Sequence, residues 1–251
     1  MRSLIAAIQF LTVCPFVSNI RCSGRDIGRS TLYFPLIGMV IGAGIALLDH
    51  AAIMIFPPLL ASAISIVALI ACSGGLHMDG LGDTADGFLS SRPRERILEI
   101  MKDSHAGAMA VICIVCLICL KVTALASVPS ANRLPVLFLM PLAGRCALVF
   151  HLAILEYARP EGGLANLFIE NRRKSDAFLA LAVLAGAGWF AGGRMGILTA
   201  GLSLVVTFLF SLWCRKKIGG FTGDTLGASC EIAELVPAMV GAAYLWSMKS
   251  I

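Results

Sequence analysis

Residues 106–128 read AGAMAVICIVCLICLKVTALASV, and this stretch decides the class of fold. It contains one charged side chain, Lys121, and no proline. About 20 apolar residues in a row are enough to cross the hydrocarbon core of a bilayer as one α-helix. Cys113, Cys116 and Cys119 form a C-x-x-C-x-x-C series inside this run. Because the run is continuous and apolar, the spacing indicates helix packing rather than metal binding.

The composition extends this conclusion to the whole chain. Its 251 residues are 58% hydrophobic and only 14% charged, with a mean hydropathy of +0.88. Soluble domains carry about 25% charged residues, so the sequence predicts an integral membrane protein. Six further stretches qualify as membrane helices: 31–48, 51–74, 134–155, 177–193, 195–213 and 232–248. We therefore expect an all-α, polytopic membrane bundle of about seven transmembrane helices, forming a single domain over residues 1–251.

The N-terminal segment, 1–17, is apolar but does not resemble a full span. Gln9 and Thr12 interrupt it and Pro15 stops it. A signal peptide would need a small-residue cleavage pattern, which is not clear here. We expect an interfacial or re-entrant helix.

The basic residues alternate between the segments that connect the spans. Alternate segments, 1–30, 75–105, 156–176 and 214–231, hold fifteen Lys and Arg, whereas the intervening connections and the C-terminus hold three. This positive-inside bias predicts a cytoplasmic N-terminus. It also explains the net charge of +5 without a nucleic-acid partner.

The segment 74–87, GGLHMDGLGDTADG, concentrates negative charge. Asp79, Asp83 and Asp86 are three of the chain's eight aspartates, at positions i, i+4 and i+7. On an α-helix they lie within about 60° of one another around the axis. Their mutual repulsion favours a bound cation, Mg²⁺ or Mn²⁺, and the alternative is a solvated acidic loop. His77 is a candidate general base, metal ligand or structural donor.

A second acidic motif, GGFTGDTLGASCEIAE, covers residues 219–234. Asp224 and Glu231 are again seven apart, on one helical face if the segment is helical. The charge pattern places both motifs on the cytoplasmic side, so the carboxylates of both can line one cavity. The alternative for Asp224 is simple helix capping, which Thr222 and Thr225 could also provide.

Several basic side chains lie near the aspartates. Arg92, Arg94, Arg96 and Lys102 place four positive charges within about a dozen residues of the first motif. Carboxylates with a metal, together with Arg and Lys, are typical of phosphate binding and indicate a nucleotide diphosphate substrate. Fixing the orientation in the membrane is the alternative role for each arginine. Arg145 lies near the middle of a predicted span, where we expect a functional role or an acidic partner.

The two motifs, with RERILEIMKDSHAGA at 94–108, QFLTVCPF at 9–16 and YFPLIGMVIGAGIA at 33–46, resemble the cobalamin synthase family over nearly the whole chain. The resemblance implies an adenosylcobinamide-GDP ribazoletransferase of the bacterial inner membrane, with its active site on the cytoplasmic face. A hydroxyl of α-ribazole, or of its 5′-phosphate, would attack the cobinamide-side phosphorus and expel GMP. Since these substrates are water-soluble, the membrane location leaves open a homo-oligomer or an assembly with other cobalamin-pathway enzymes.

Roles follow for the candidate site residues under this resemblance. The metal is Mg²⁺, and its expected ligands are Asp79, Asp83, Asp86, Asp224 and Glu231. The expected catalytic residues are Asp83, Asp79, His77 and Asp224. The expected substrate-binding residues are Arg92, Arg96, Lys102, Arg145, Thr222 and Gly223.

Three other activities compete with this interpretation. A UbiA-type prenyltransferase shares the D-x₃-D spacing but has a flanking Asn-Asp pattern that is absent here. A CDP-alcohol phosphotransferase has an arginine in its aspartate motif, and GLGDTADG contains none. A cation transporter is expected to place carboxylates near the bilayer centre, whereas these cluster toward one face.

Overall fold

The computed structural model describes residues 2–14, 20–159, 168 and 173–249, and in these residues the fold is all-α. An isolated β-bridge between Tyr157 and Phe221 is the one extended pairing found there. The helices are α1 (Arg2–Leu11), α2 (Gly24–Gly28), α3 (Phe34–Ile53), α4 (Pro58–Cys72), α5 (Leu76–Phe88), α6 (Arg94–Ile100), α7 (Ala108–Ala126), α8 (Arg133–Ile154), α9 (Lys174–Ile218) and α10 (Gly223–Lys249). Two 3₁₀ turns, Arg29–Tyr33 and Ser130–Asn132, precede α3 and α8. The predicted all-α class is confirmed.

Five of the described helical stretches are long and apolar enough to cross a membrane. They are Gly24–Ile53, Ala108–Ala126, Ser130–Ile154, Ser175–Ile218 and Gly223–Met248. Counting the bent pair α4 and α5 as one span raises the number to six. The membrane-bundle prediction is therefore confirmed, but the count of seven is not.

The predicted span 51–74 differs most from the structure. Pro57 and Pro58 delay the start of α4, which then runs for only 15 residues. Gly74 and Gly75 follow with φ of +61° and +78°, a left-handed conformation that glycine adopts without steric cost. The chain bends there by 89° into α5, so the first acidic motif forms a helix of its own.

The helix α9 contains a reversal. As a straight rod its 45 residues would be about 68 Å long, far more than a bilayer needs. At Gly193 the backbone leaves helical geometry, with φ 55° and ψ −128°. A Cβ added at Gly188 would lie 2.6 Å from the carbonyl oxygen of Gly196, so the two arms pack against each other. The break coincides with the boundary between the predicted spans 177–193 and 195–213.

The short helix α1 does not span the bilayer. It has ten residues and packs against the bundle through Ala6, Ala7 and Leu11. An amphipathic helix of this length suits the membrane interface. Pro15, which we expected to stop it, and Arg172 of the basic segment 156–176 lie outside the described residues.

The centre of the bundle is α8, which packs on α3, α9 and α10. Glycines allow the closest approaches: a Cβ at Gly38 would lie 2.9 Å from the backbone of Leu142, and one at Gly144 would lie 3.1 Å from the carbonyl oxygen of Cys230. Small residues at such crossings let backbones pack closely within a membrane. The packing holds α10, and with it the second acidic motif, against the centre.

Candidate active site

The two acidic motifs meet where α5 crosses α10. A Cβ added at Gly80 would lie 2.7 Å from the carbonyl oxygen of Asp224, and one at Gly227 would lie 3.0 Å from that of His77. Each motif thus supplies a glycine that allows the other helix to approach. Asp83 lies close enough to Asp79 and Asp224 for the three charges to repel one another. The structure therefore brings together aspartates that are about 140 residues apart in the chain.

The loop before α10 positions Asp224. The N–H of Phe221 donates to the Glu156 carbonyl oxygen at 2.9 Å, and the N–H of Ala158 donates to the Phe221 carbonyl oxygen at 2.8 Å. Thr222 and Thr225 then bond reciprocally: each backbone N–H donates to the other hydroxyl, at 2.9 and 3.3 Å. The reciprocal bonds satisfy backbone donors at the start of α10.

The pairing of Ala158 with Phe221 also brings Arg159 to the site. Its Nη2 donates to Oδ2 of Asp224 at 2.7 Å, and the hydroxyl of Thr222 donates to the same oxygen at 3.2 Å. In the sequence, Arg159 belongs to the basic residues that predict the membrane orientation, and it is not among the predicted site residues. No sequence signal distinguishes it from the other basic residues of that segment, because its role depends on the pairing of two distant loops.

A cleft opens beside this crossing, with about 690 Å³ of unfilled space that is partly open to solvent. Its polar wall includes Asp79 and His77 from α5 and Asp224 from α10, and Gly223 lies beside them. The remaining lining residues are Phe10, Leu76, Gly80, Leu148, Phe168, Leu226 and Gly227. A cleft that combines apolar walls with a few convergent polar groups is typical of a small-molecule site.

His77 lies between the cleft and the interior of the bundle. It is only 3% exposed, and its Nδ1 lies 3.6 Å from Sγ of Cys230. Its Nε2 is buried and has no hydrogen-bond partner within the described part of the chain. A buried polar atom without a partner is unusual, and it calls for a structural or catalytic explanation.

Asp86 faces a different helix from Asp79 and Asp83. Its Oδ2 accepts the backbone N–H of Gly107 at 2.6 Å and its Oδ1 that of Ala110 at 3.0 Å, at the start of α7. A carboxylate is favourable at a helix N-terminus, where backbone donors are unpaired. The structure thus shows Asp86 as a helix cap, and its role as a metal ligand stays a prediction.

Glu231 and Arg145 belong to a buried ion cluster instead of the cleft. Nζ of Lys121 donates to Oε2 of Glu231 at 2.6 Å and to Oε2 of Glu234 at 2.8 Å, and Arg145 pairs with Oε1 of Glu234. Glu231 lies seven residues beyond Asp224, about 10.5 Å further along α10, and this rise carries it into the bundle. The structure shows Glu231 as an ion-pair partner of Lys121, and its role as a metal ligand stays a prediction. For Arg145 the sequence predicted a functional role or an acidic partner, and the structure shows the acidic partner, Glu234.

The basic residues after α5 occupy several environments. Arg92, Arg96 and Lys102 are exposed, and Arg96 pairs with Glu99 at 2.7 Å. Arg94 instead donates to the carbonyl oxygens of Ile218 at 2.8 Å and Ala158 at 3.1 Å, which ties α6 to the loop that carries Arg159. None of the three exposed residues lines the cleft, so their contact with substrate stays a prediction.

A second surface depression lies next to the cap of α7. Asp86, Arg96 and Asp103 line it together with His105. Hydrogen bonds from the His105 side chain and backbone lower the pKa of Asp103 below its usual value. The depression thus keeps a negative charge beside the exposed arginine.

Comparison with known proteins identifies the family. The model of the cobalamin-5-phosphate synthase family matches residues 3–242. The chain belongs to this family. The adenosylcobinamide-GDP ribazoletransferase of Desulforamulus reducens is 38% identical over 232 residues, 92% of each chain. The proteins of the same name from Clostridium tetani and Brevibacillus brevis are 34% and 33% identical, over 97% and 98% of this chain and 97% and 100% of their own. No solved structure matches.

Membership of the cobalamin-5-phosphate synthase family confirms the resemblance drawn from the motifs. The match covers both acidic motifs and the early segments at once. A prenyltransferase, a CDP-alcohol phosphotransferase or a cation transporter is therefore not favoured.

Proposed function

We propose that this chain is an adenosylcobinamide-GDP ribazoletransferase, which acts late in cobalamin biosynthesis. It transfers the adenosylcobinamide-phosphate group to α-ribazole, or to its 5′-phosphate, and releases GMP. The product is adenosylcobalamin or its 5′-phosphate. The family match and the names of the relatives support the activity. The structural observation that carries it is the meeting of Asp79 and Asp224 at one cleft, with Asp83 close to both.

We propose Mg²⁺ as the metal. The described residues contain no group of three or more His, Cys, Asp or Glu side chains arranged to hold a metal by themselves. Mg²⁺ is usually bound through one or two carboxylates together with waters and substrate phosphates, so a complete protein cage is not required. Asp79, Asp83 and Asp224 provide oxygen donors of the right kind. When bound, the ion would neutralise charge on the diphosphate.

Arg159, Asp79 and His77 would have the remaining roles in the reaction. Arg159 orients the Asp224 carboxylate through its 2.7 Å bond and places a positive charge near the diphosphate. In the transfer, the attacking hydroxyl oxygen forms a bond to the cobinamide-side phosphorus while the bond from that phosphorus to the GMP oxygen breaks. The hydroxyl proton passes to a base on the polar wall, for which Asp79 and His77 are placed.

The test of this function is GMP release from adenosylcobinamide-GDP and α-ribazole by the purified protein. Asp83→Asn and Asp224→Asn should each lose most turnover, and exposed Asp103→Asn should stay near wild type. If the two aspartates form one site, the double variant should lose much less than the product of the single losses. Normal turnover by Asp83→Asn across a magnesium titration would contradict the metal site.

For location, we propose the bacterial inner membrane with the cleft open to the cytoplasm, which the positive-inside bias supports. Arg92→Cys and Lys216→Cys, in a background without the native cysteines, should react with an impermeant thiol reagent from the cytoplasmic side. Arg194→Cys, an exposed position beside the break in α9, serves as the control and should react from the other side. Labelling of Arg92→Cys and Lys216→Cys from opposite sides would refute the single cytoplasmic site.

A further inference from the structure

A basic pocket lies where α1, the 3₁₀ turn before α3 and the start of α9 meet. It has about 610 Å³ of unfilled space that is partly open to solvent. Its lining residues are Ser3, Arg29, Leu32, Tyr33, Arg173 and Asp176. None of these six residues lines the cleft of the proposed active site, so the basic pocket is a separate space.

The two arginines give the basic pocket a net positive charge. Arg29 and Arg173 are exposed, and within the described part of the chain neither guanidinium has an ion-pair or hydrogen-bond partner. The one carboxylate of the pocket, on Asp176, accepts a hydrogen bond from the Thr31 hydroxyl at 3.0 Å. A guanidinium presents a planar fork of donors that matches phosphate oxygens. The pocket therefore suits a phosphate group.

The basic pocket lies at the ends of two membrane spans. Arg29 and Tyr33 begin and end the 3₁₀ turn that leads into α3, and Arg173 directly precedes α9. Both α3 and α9 lie in stretches that are long and apolar enough to cross a membrane. Arginine and tyrosine at the end of a span lie at the level of the lipid headgroups. A phosphate in this pocket would thus lie among the phosphates of the bilayer surface.

An apolar stripe runs from the basic pocket along α3. Leu32, in the wall of the pocket, is followed at four-residue intervals by Leu36 and Val40, and all three side chains are exposed. Residues four apart share one face of a helix. On α9, Phe178 is exposed as well. A soluble phosphate compound has no use for such a surface, whereas the acyl chain of a lipid packs along it.

We propose that the basic pocket is a binding site for an anionic phospholipid. The phosphate lies between Arg29 and Arg173, and an acyl chain follows the apolar stripe of α3. The hydroxyls of Ser3 and Tyr33 supply further donors at the pocket wall. Basic pockets between membrane helices are typical sites for acidic headgroups. The inference does not depend on the proposed function, because it concerns how α1, α3 and α9 are held together at the membrane surface.

The test measures lipid binding to the purified full-length protein by native mass spectrometry from an uncharged detergent. Phosphatidylglycerol should bind more tightly than zwitterionic phosphatidylethanolamine with the same acyl chains. Arg29→Gln/Arg173→Gln should weaken phosphatidylglycerol binding about 30-fold, the loss expected for two basic residues that each contact an anionic headgroup. Arg215→Gln/Lys216→Gln removes two exposed charges at the other end of α9 and should bind as wild type does.

Two further measurements support the design. Glycerol 1-phosphate, the headgroup without acyl chains, should not bind detectably at the lipid concentrations used. Leu36→Ser should weaken phosphatidylglycerol binding, because it removes apolar contact from the stripe. In lipid-free detergent the Arg29→Gln/Arg173→Gln protein should melt at the wild-type temperature by circular dichroism, since both side chains are exposed.

Four results would overturn the inference. Equal weakening in the two double variants would show diffuse attraction between charges instead of a site. Equal binding of phosphatidylethanolamine would show that Asp176 captures its ammonium group and that an anionic headgroup is not selected. Binding of glycerol 1-phosphate as tight as that of the lipid would make a soluble phosphate compound the ligand. A large loss of stability without lipid would give Arg29 and Arg173 a purely structural role.

Discussion

The buried ion cluster behind the site offers a decisive perturbation, Lys121→Met. Lys121 is completely buried, and its ammonium lies 2.6 Å from Glu231 and 2.8 Å from Glu234. With Arg145, the cluster holds two cations and two anions. Removing the lysine charge leaves two buried carboxylates with a single guanidinium. Leaving a buried charge without its partner costs about 3–5 kcal/mol, and we expect a loss of stability in this range.

A compensating change tests whether charge is the cause. In Lys121→Met/Glu231→Gln the remaining pair, Arg145 with Glu234, is neutral as a unit. The double variant should therefore lose about 2 kcal/mol less stability than the sum of the two single losses, a typical coupling energy for residues in contact. The measurement is reversible unfolding in mixed detergent micelles, followed by circular dichroism. Lys216→Met, at an exposed position on α9, is the control and should be near neutral.

Two results would refute this reasoning. Losses that add up for Lys121→Met and Glu231→Gln would show that the charges do not interact. A Glu231→Gln protein with unchanged stability and a raised magnesium requirement for GMP release would return Glu231 to the metal site.

Three further predictions address the crossing of α5 and α10 and its surroundings. Gly80→Ala should lose about 1–3 kcal/mol of stability through overpacking against Asp224. The control is Gly44→Ala, where an added Cβ has nothing within 4 Å, and it should melt near the wild-type temperature in detergent. Equal melting temperatures for the two variants would contradict the close crossing. Arg159→Met should reduce the kcat for GMP release at least about 10-fold at an almost unchanged melting temperature, and normal kcat would remove it from the site. Asp86→Asn should lower stability by about 1 kcal/mol, because the oxygens of Asp86 cap α7. The magnesium concentration that gives half-maximal activity should stay unchanged. An increase in that concentration would instead support metal binding by Asp86.

Hydropathy and charge along the chain were enough to establish the class of protein. An apolar run such as 106–128 becomes a membrane helix whatever its neighbours are, because a bilayer leaves the backbone no other way to satisfy its hydrogen bonds. The i, i+4, i+7 spacing of Asp79, Asp83 and Asp86 likewise needs only local helix geometry. The two motifs also indicated the family, because each motif is one contiguous stretch of sequence. The family match confirms that resemblance.

The partner of each charged side chain was decided only by tertiary structure. Asp224 and Glu231 belong to one motif, yet Asp224 lines the cleft beside Arg159 and Glu231 pairs with Lys121 in the interior. Asp86 shares a helical face with Asp83 but caps α7. A carboxylate has the same chemistry wherever the chain carries it. Its role here depends on which distant helix packs against it, and that is set by glycine contacts, a bend of 89° between α4 and α5, and loop pairing.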